Sequence, residues 1–209
     1  MAGLGGGAYD FAVEHEWLAR PGGVLLWGTD TRMLYGSFHT ISELADGSAV
    51  LDVPCGGGVA LRGLRPDQSV RYVAADMSTE MLARARTRAA GFGHDDVEFV
   101  EADITRMPFD DNEFDLCVSF NGLHCLADPA AAVREIARCV KPGGRLVGDS
   151  LVRGAGWRQD MGLNIGRRLG VFGAGGRVDE LRSWLTDAGL NVDRMDLSGA
   201  IAHFTATAA

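Results

Sequence analysis

The nine residues Val50-Leu51-Asp52-Val53-Pro54-Cys55-Gly56-Gly57-Gly58 decide the fold. Ser48 to Pro54 is a short apolar run that stops at turn residues, the mark of a strand buried on both faces. The glycines behind it let backbone approach a ligand with no Cβ in the way. The same strand-then-helix rhythm continues from there. Residues 70–76 (VRYVAAD), 97–103 (VEFVEAD), 114–120 (FDLCVSF) and 145–152 (RLVGDSLV) read as further strands. Between them, Ser78 can cap a helix running to about Ala90. Asp128-Pro129 starts another, with Val133, Ile136, Ala137 and Val140 as its apolar stripe, and Pro142-Gly143-Gly144 is expected to stop it. Leu181, Trp184, Leu185 and Ala188 mark one more, closed by Gly189; residues 191–197 and 201–207 then read as a hairpin. Strands alternating with helices predict a three-layer α/β sandwich, a Rossmann-like, mostly parallel seven-stranded sheet with an antiparallel C-terminal hairpin strand.

Outside this core the sequence changes character. Residues 1–47 form a helical cap segment, with helices expected at 9–19 and 30–46 about a Pro21-Gly22-Gly23 break, and hold Trp17, Trp27, Tyr9, Tyr35, Phe11 and Phe38. Residues 48–152 are the ligand-binding core. Residues 153–176, rich in Gly and Arg, are expected to form a lid, and 177–209 complete the same domain. The 209 residues carry 46% hydrophobic and 23% charged side chains, ordinary for one globular domain. Twenty basic against 28 acidic residues leave a net charge of −8, which repels nucleic-acid backbones and anionic surfaces unless a basic patch intervenes. Arg84, Arg86 and Arg88 read as a solvated helix face rather than such a patch. Cys55, Cys117, Cys125 and Cys139 form no CxxC pair and fit reduced thiols in a cytoplasmic protein better than disulfides or a metal site. The N-terminal stretch lacks signal-peptide regions, and no apolar run is long enough to span a membrane.

The chemistry is expected where strands deliver their ends, because open α/β sheets bind ligands beyond the carboxyl edge. Asp52 ends the first strand, Asp76 the second and Asp103 the third. Asp76 follows Asp52 by 24 residues, near the spacing at which an acidic side chain takes ribose hydroxyls. Three carboxylates at one edge repel each other, and a cationic or hydroxyl-rich ligand offsets that repulsion. A dinucleotide brings an anionic pyrophosphate and needs a third glycine, where this chain has Leu61. S-adenosylmethionine, with a sulfonium, an ammonium and a ribose, suits the acidic edge better.

The segments VLDVPCGGG, YVAADMSTEML, VEADITRMPF, FDLCVSFNGLHCLADP and VKPGGRLV, in this order, resemble the class I S-adenosylmethionine-dependent methyltransferases, in particular the small-molecule group similar to the ubiquinone/menaquinone-biosynthesis C-methyltransferases. The resemblance covers about residues 48–150. It implies that Asp52 and the backbone of Pro54, Cys55, Gly56 and Gly58 hold the methionine end of the cofactor. It implies Asp76 on the ribose hydroxyls with Met77 against the adenine, and Asp103 on the adenine amino group with Ile104 on the other ring face. Ser119, Phe120 and Asn121 would line the methionine end near the reacting methyl. Pro54 stands where the family has its first glycine, removing a backbone donor there.

For proton transfer the candidate is His124, whose ordinary pKa suits a general base; the competing reading is a histidine packed at a strand-to-helix junction. Tyr35 and His39, one helical turn apart, are candidate acceptor contacts, as is Trp157 in the lid. His15 and His94 read as surface residues and His203 as a sheet residue. The Asn121-Gly122-Leu123-His124 stretch lacks the pattern of the amino-methylating nucleic-acid enzymes. With the acidic balance, this favours a small, apolar or aromatic acceptor. Two other readings stay open: a nicotinamide-dependent oxidoreductase, and a cofactor-binding protein that transfers no methyl group.

Overall fold

The computed structural model describes residues 28–29 and 32–209. The helix expected at 9–19, with Tyr9, Phe11, His15, Trp17 and Trp27, lies outside the described residues. The helix expected at 30–46 is α1, Arg32–Ser42, which buries Leu34, Phe38 and Ile41 at helical spacing.

Eight strands follow: β1 (Ala49–Asp52), β2 (Arg71–Asp76), β3 (Glu98–Glu101), β4 (Phe114–Ser119), β5 (Val140–Arg153), β6 (Gly176–Arg177), β7 (Leu190–Ser198) and β8 (Ile201–Ala208). Across the main sheet the order is β3-β2-β1-β4-β5-β8-β7. β1 to β5 pair in parallel, while β8 runs antiparallel to both β5 and β7. This is the seven-stranded sheet with the expected hairpin; the two-residue β6 adds a short eighth strand on β5.

Alternation along β1 explains the layers. Val50 joins Tyr72, Ala74, Leu116, Val118 and Val147 in a core covered by α1 and by α2 (Thr79–Phe92). Leu51 and Val53 face the opposite core, with Val73, Cys117 and Leu146, under α3 (Pro129–Cys139) and α5 (Val178–Asp187). Both faces are covered, so the central strands are mostly apolar, with Asp115 in β4 and Asp149 in β5 among the exceptions. The N-caps are as the sequence predicts: Ser78 accepts the Met81 N–H, and Asp128 accepts the Ala131 N–H with Pro129 next to it; α2 runs two residues past Ala90 and ends at Gly93, φ 78°.

Three local details stand out, and one of them corrects an expectation. The helix after the glycine turn is only a five-residue 3-10 turn, Val59–Gly63. Its Gly58 sits at φ 75°, and a Cβ there would lie 2.8 Å from Leu61 and 3.1 Å from Ala85, so the turn packs directly on α2. Pro142-Gly143-Gly144 does not separate helix from strand. α3 ends at Cys139, and the Pro-Gly-Gly stretch lies inside β5, where the register against β4 jumps from Phe114↔Val140 to Leu116↔Arg145. Gly143, at φ 76°, supplies the left-handed residue such a bulge needs. Within residues 153–176, Trp157–Arg168 forms a regular helix, α4, which buries Leu163 and Gly166.

Candidate functional site

A cavity of about 340 Å³ opens at the carboxyl edge of β1, β2 and β4. It is lined by Asp52 to Gly57, Asp76 and Met77, Ala102 to Ile104, Phe120 to Gly122, and Leu34 and Phe38 of α1. Asp52 and Asp76 end β1 and β2 as expected, whereas β3 stops at Glu101 and Asp103 lies two residues beyond it; the three aspartates nevertheless meet in one cavity. Of the residues expected to hold a cofactor, Asp52, Pro54, Cys55, Gly56, Asp76, Met77, Asp103, Ile104, Phe120 and Asn121 line it. Gly58 and Ser119 do not: Gly58 packs against Leu61 and Ala85, and Ser119 is fully buried.

Each aspartate has a different environment. Asp52 is 2% exposed and accepts a 2.9 Å hydrogen bond from the Tyr72 hydroxyl. Burial raises its pKa to about 7; the Tyr72 hydrogen bond acts against that rise and the nearby Asp76 carboxylate adds to it. Asp76 receives the Gly56 N–H on Oδ2 at 2.9 Å and the Ser78 N–H on Oδ1 at 2.8 Å. It thereby ties the glycine turn to the start of α2, and each carboxylate oxygen keeps a lone pair for a ligand hydroxyl. Asp103 is exposed, and its Oδ1 accepts both the Thr105 N–H and the Thr105 hydroxyl at 2.8 Å. Those bonds hold its pKa below the ordinary carboxylate value. Oδ2 has no partner among the described residues.

The turn itself is built for a close ligand. Gly56 adopts φ 50°, and a Cβ at that position would meet nothing within 4 Å, so it would project into open space. Arg88 of α2 donates to the Gly57 carbonyl at 2.7 Å. Cys55 donates its N–H to Ala75, while burial, with Asp52 and Asp76 nearby, pushes its thiol upward and keeps it protonated. The Val53–Pro54 peptide is cis. The Pro54 ring packs on Gly122, where a Cβ would come within 2.3 Å of Pro54 Cγ. The loops after β1 and β4 are thus wedged together. Asn121, at φ 54°, gives its N–H to Asp149 Oδ1 at 2.8 Å. Asp149 is fully buried in β5; burial raises its pKa to about 7 and the Asn121 bond opposes the rise. Its Oδ2 lies 3.7 Å from His203 Nδ1, directly across the β5–β8 ladder.

The candidates for proton transfer and acceptor contact are placed elsewhere. His124 is 1% exposed and does not line the cavity. Its Nδ1 accepts the Leu151 N–H at 3.3 Å, its ring stands edge-on to Phe172, and burial lowers its pKa to about 4. It is a neutral core histidine at the strand-to-helix junction, an environment that suits a packing role over a base. Tyr35 packs edge-on against Phe38 behind the cavity wall, with Arg62 over its ring. His39 points to solvent and pairs with Glu43 at 3.2 Å. Trp157 is 76% exposed and outside the cavity. The α1 residues that do line it are Leu34 and Phe38, one position earlier than the expected pair; Phe38 meets Phe120 edge-on at 5.0 Å. Their signal was the plain apolar spacing Leu34-Phe38-Ile41. Asp149 carried no signal, as it sits inside an otherwise buried strand.

The donor set fits the implied cofactor: a desolvated carboxylate for a cation, two lone pairs for a diol, a free carboxylate oxygen for an amino group, and an open glycine. The dinucleotide reading is further weakened, since β1 is followed by a five-residue 3-10 turn and not by the α-helix whose N-terminus would face a pyrophosphate. Among the described residues no His/Cys/Asp/Glu cluster could hold a metal ion, the four cysteines are free, and no helix is long and apolar enough to cross a membrane.

Comparisons with known proteins agree with this geometry. Residues 51–148 match the family model described as a methyltransferase domain. A demethylmenaquinone methyltransferase of Clavibacter sepedonicus is 38% identical over 120 residues, covering 57% of this chain and 47% of that protein. A ubiquinone/menaquinone biosynthesis C-methyltransferase of Hahella chejuensis is 38% identical over 110 residues, 51% of this chain and 44% of that protein. The chain thus spans about half the length of these curated relatives. The solved structure of an S-adenosylmethionine-dependent methyltransferase from Aquifex aeolicus superposes with a TM-score of 0.66 at 22% identity, covering 97% of this chain and 98% of the other, and shows the shared fold. Residues 51–148, which run from the end of β1 into β5 and hold most of this cavity's lining, thus match a methyltransferase domain, on a fold shared with S-adenosylmethionine-dependent methyltransferases.

Proposed function

We propose that this chain transfers a methyl group from S-adenosylmethionine to a small apolar or aromatic acceptor by in-line displacement. The observation that carries the proposal is the meeting of Asp52, Asp76 and Asp103 around a glycine turn in one cavity. When bound, the cofactor supplies an electrophilic methyl on a sulfonium. Asp52 would hold the cationic methionine end, Asp76 the ribose hydroxyls through its remaining lone pairs, and Asp103 Oδ2 the adenine amino group. Met77 and Ile104 would border the adenine. The turn of Pro54 to Gly57 and the Asn121 loop fix the methionine end, and Leu34, Phe38 and Phe120 give the cavity an apolar wall that excludes water. Positioning of this kind can contribute on the order of 7–11 kcal/mol to lowering a two-reactant barrier. His124 takes no part in proton transfer in this reading; an acceptor that must lose a proton would do so to solvent or to a group outside the cavity wall described here.

The apolar wall favours a quinone-like or phenolic acceptor over a charged one. The experiment is calorimetry with S-adenosylmethionine, S-adenosylhomocysteine and NAD, followed by a labelled-methyl screen against demethylated quinones, phenols, amines and carboxylates. Binding of the first two ligands with label transfer to a quinone or phenol is the expected result. Binding of NAD alone would overturn the cofactor assignment. Tight cofactor binding with no transfer to any class would favour the non-catalytic reading.

A further inference from the structure

α4 presents an unusual outer face. Trp157, Met161, Ile165 and Leu169 recur every fourth residue and are 76%, 52%, 50% and 74% exposed, against a core in which most large apolar side chains are sealed. At 100° per residue these four span one arc of the helix, opposite the buried Leu163 and Gly166. Arg158 and Arg168 stand within the same arc, exposed and without an ion pair among the described residues. Arg153 and Arg177, at the two ends of the lid, pair with Glu180 and Asp179. Residues 153–177 hold five arginines and one aspartate in a chain whose net charge is −8. Positive charge and exposed apolar surface are therefore concentrated in one place on an acidic molecule.

We infer that α4 is a docking surface for an anionic lipid bilayer, lying in the plane of the interface. Its 12 residues make a rod of about 18 Å, too short to cross a bilayer and suited to lying along one. An aromatic ring, branched and thioether side chains, and arginines whose stems can stretch toward headgroups are the composition of an interfacial helix. The charge decides the occupant. A neutral apolar partner would leave Arg158 and Arg168 desolvated and unpaired, whereas phosphate headgroups neutralise them. The helix is also tied to the site: after it, Gly173 and Ala174 donate to the carbonyls of His124 and Leu126, and Leu126 lines the cavity. Docking would bring the cavity close to acceptors dissolved in lipid, which deepens the proposed function; the binding itself does not depend on the acceptor's identity.

Vesicle flotation of the whole chain tests this without cofactor or acceptor. Vesicles of phosphatidylcholine alone are compared with an equal mixture of phosphatidylcholine and phosphatidylglycerol, at low and high salt. The chain is expected to float with the mixed vesicles only, and to be released by salt. R158Q and R168Q should each lower partitioning about fivefold, and M161S/I165S should abolish it with thermal unfolding unchanged, since both side chains are exposed. Failure to float with the mixed vesicles, or equal flotation of M161S/I165S, would overturn the inference. So would lipid-free self-association in sedimentation that M161S/I165S removes, because a second copy would then cover the face.

Discussion

Replacing Asp52 by Asn separates the cost of a buried carboxylate from its use. In the folded chain Asp52 has a pKa of about 7, against 3.8 for the free group. Between those values the folded state holds a proton that the unfolded state has released, so stability falls as pH rises, by about 1.4 kcal/mol per pH unit, and levels off above pH 7. Asn does not titrate. The stability of D52N relative to the parent should therefore improve by about 2 kcal/mol between about pH 5.5 and about pH 8.5, whatever the offset from exchanging the side chain. Asp149 titrates in the same range but is common to both proteins and cancels. Urea unfolding at the two pH values reads the difference directly. Binding should move the opposite way. A cationic ligand favours ionised Asp52, so the parent's affinity for S-adenosylmethionine should rise about tenfold per pH unit toward 7 and flatten above it, while D52N binds weakly and without that slope. A stability difference that stays constant with pH, or grows as pH falls, would refute the reasoning, because it would mean that Asp52 is ionised throughout.

Three further perturbations follow from the same loops. Asp149→Ala should leave the half-buried Asn121 N–H without its acceptor, costing about 1 kcal/mol and weakening cofactor binding. Asp149→Asn keeps an acceptor and should recover most of both, as urea unfolding and calorimetry would show. Gly122→Ala drives a methyl into the Pro54 ring, where 2.3 Å separates the two; a cost of about 1–3 kcal/mol and at least a tenfold loss of cofactor affinity are expected by the same measurements. For His124→Asn the turnover–pH profile should keep the parent's limbs. Its stability profile should not: the folded histidine resists protonation down to about pH 4, so the parent loses stability relative to the variant as pH falls from 6.5, by up to about 3 kcal/mol.

The sheet was legible because β1, β2 and β4 are buried on both faces and so read as short, mainly apolar runs, each ended by a polar residue or turn. The same feature marks the cavity's aspartates: Asp52 and Asp76 are strand ends that can be counted along the chain, and Asp103 follows the end of β3 by two residues. What could not be read depended on contacts between distant segments. Tyr35 and His39 carry attractive chemistry, but helix phase is set by what packs, and Leu34, Phe38 and Ile41 turn α1 so that His39 meets water. His124 looked poised because its neighbours are loop residues; only the return of Gly173 and Phe172 over it makes it a core residue. Asp149 lies in mid-strand, where nothing local distinguishes a positioning carboxylate from a solvated one. The Pro-Gly-Gly of β5 was misplaced for a similar reason, since a bulge is defined by its partner strand.

Asp76 grips two backbone amides of its own chain, one from the glycine turn and one from the entrance to α2. The ordering entropy of that turn is spent during folding, not at the moment of encounter. A ligand arriving at this edge thus meets a rigid template, and differences in affinity among cofactor analogues should appear in how fast they leave rather than in how fast they are captured.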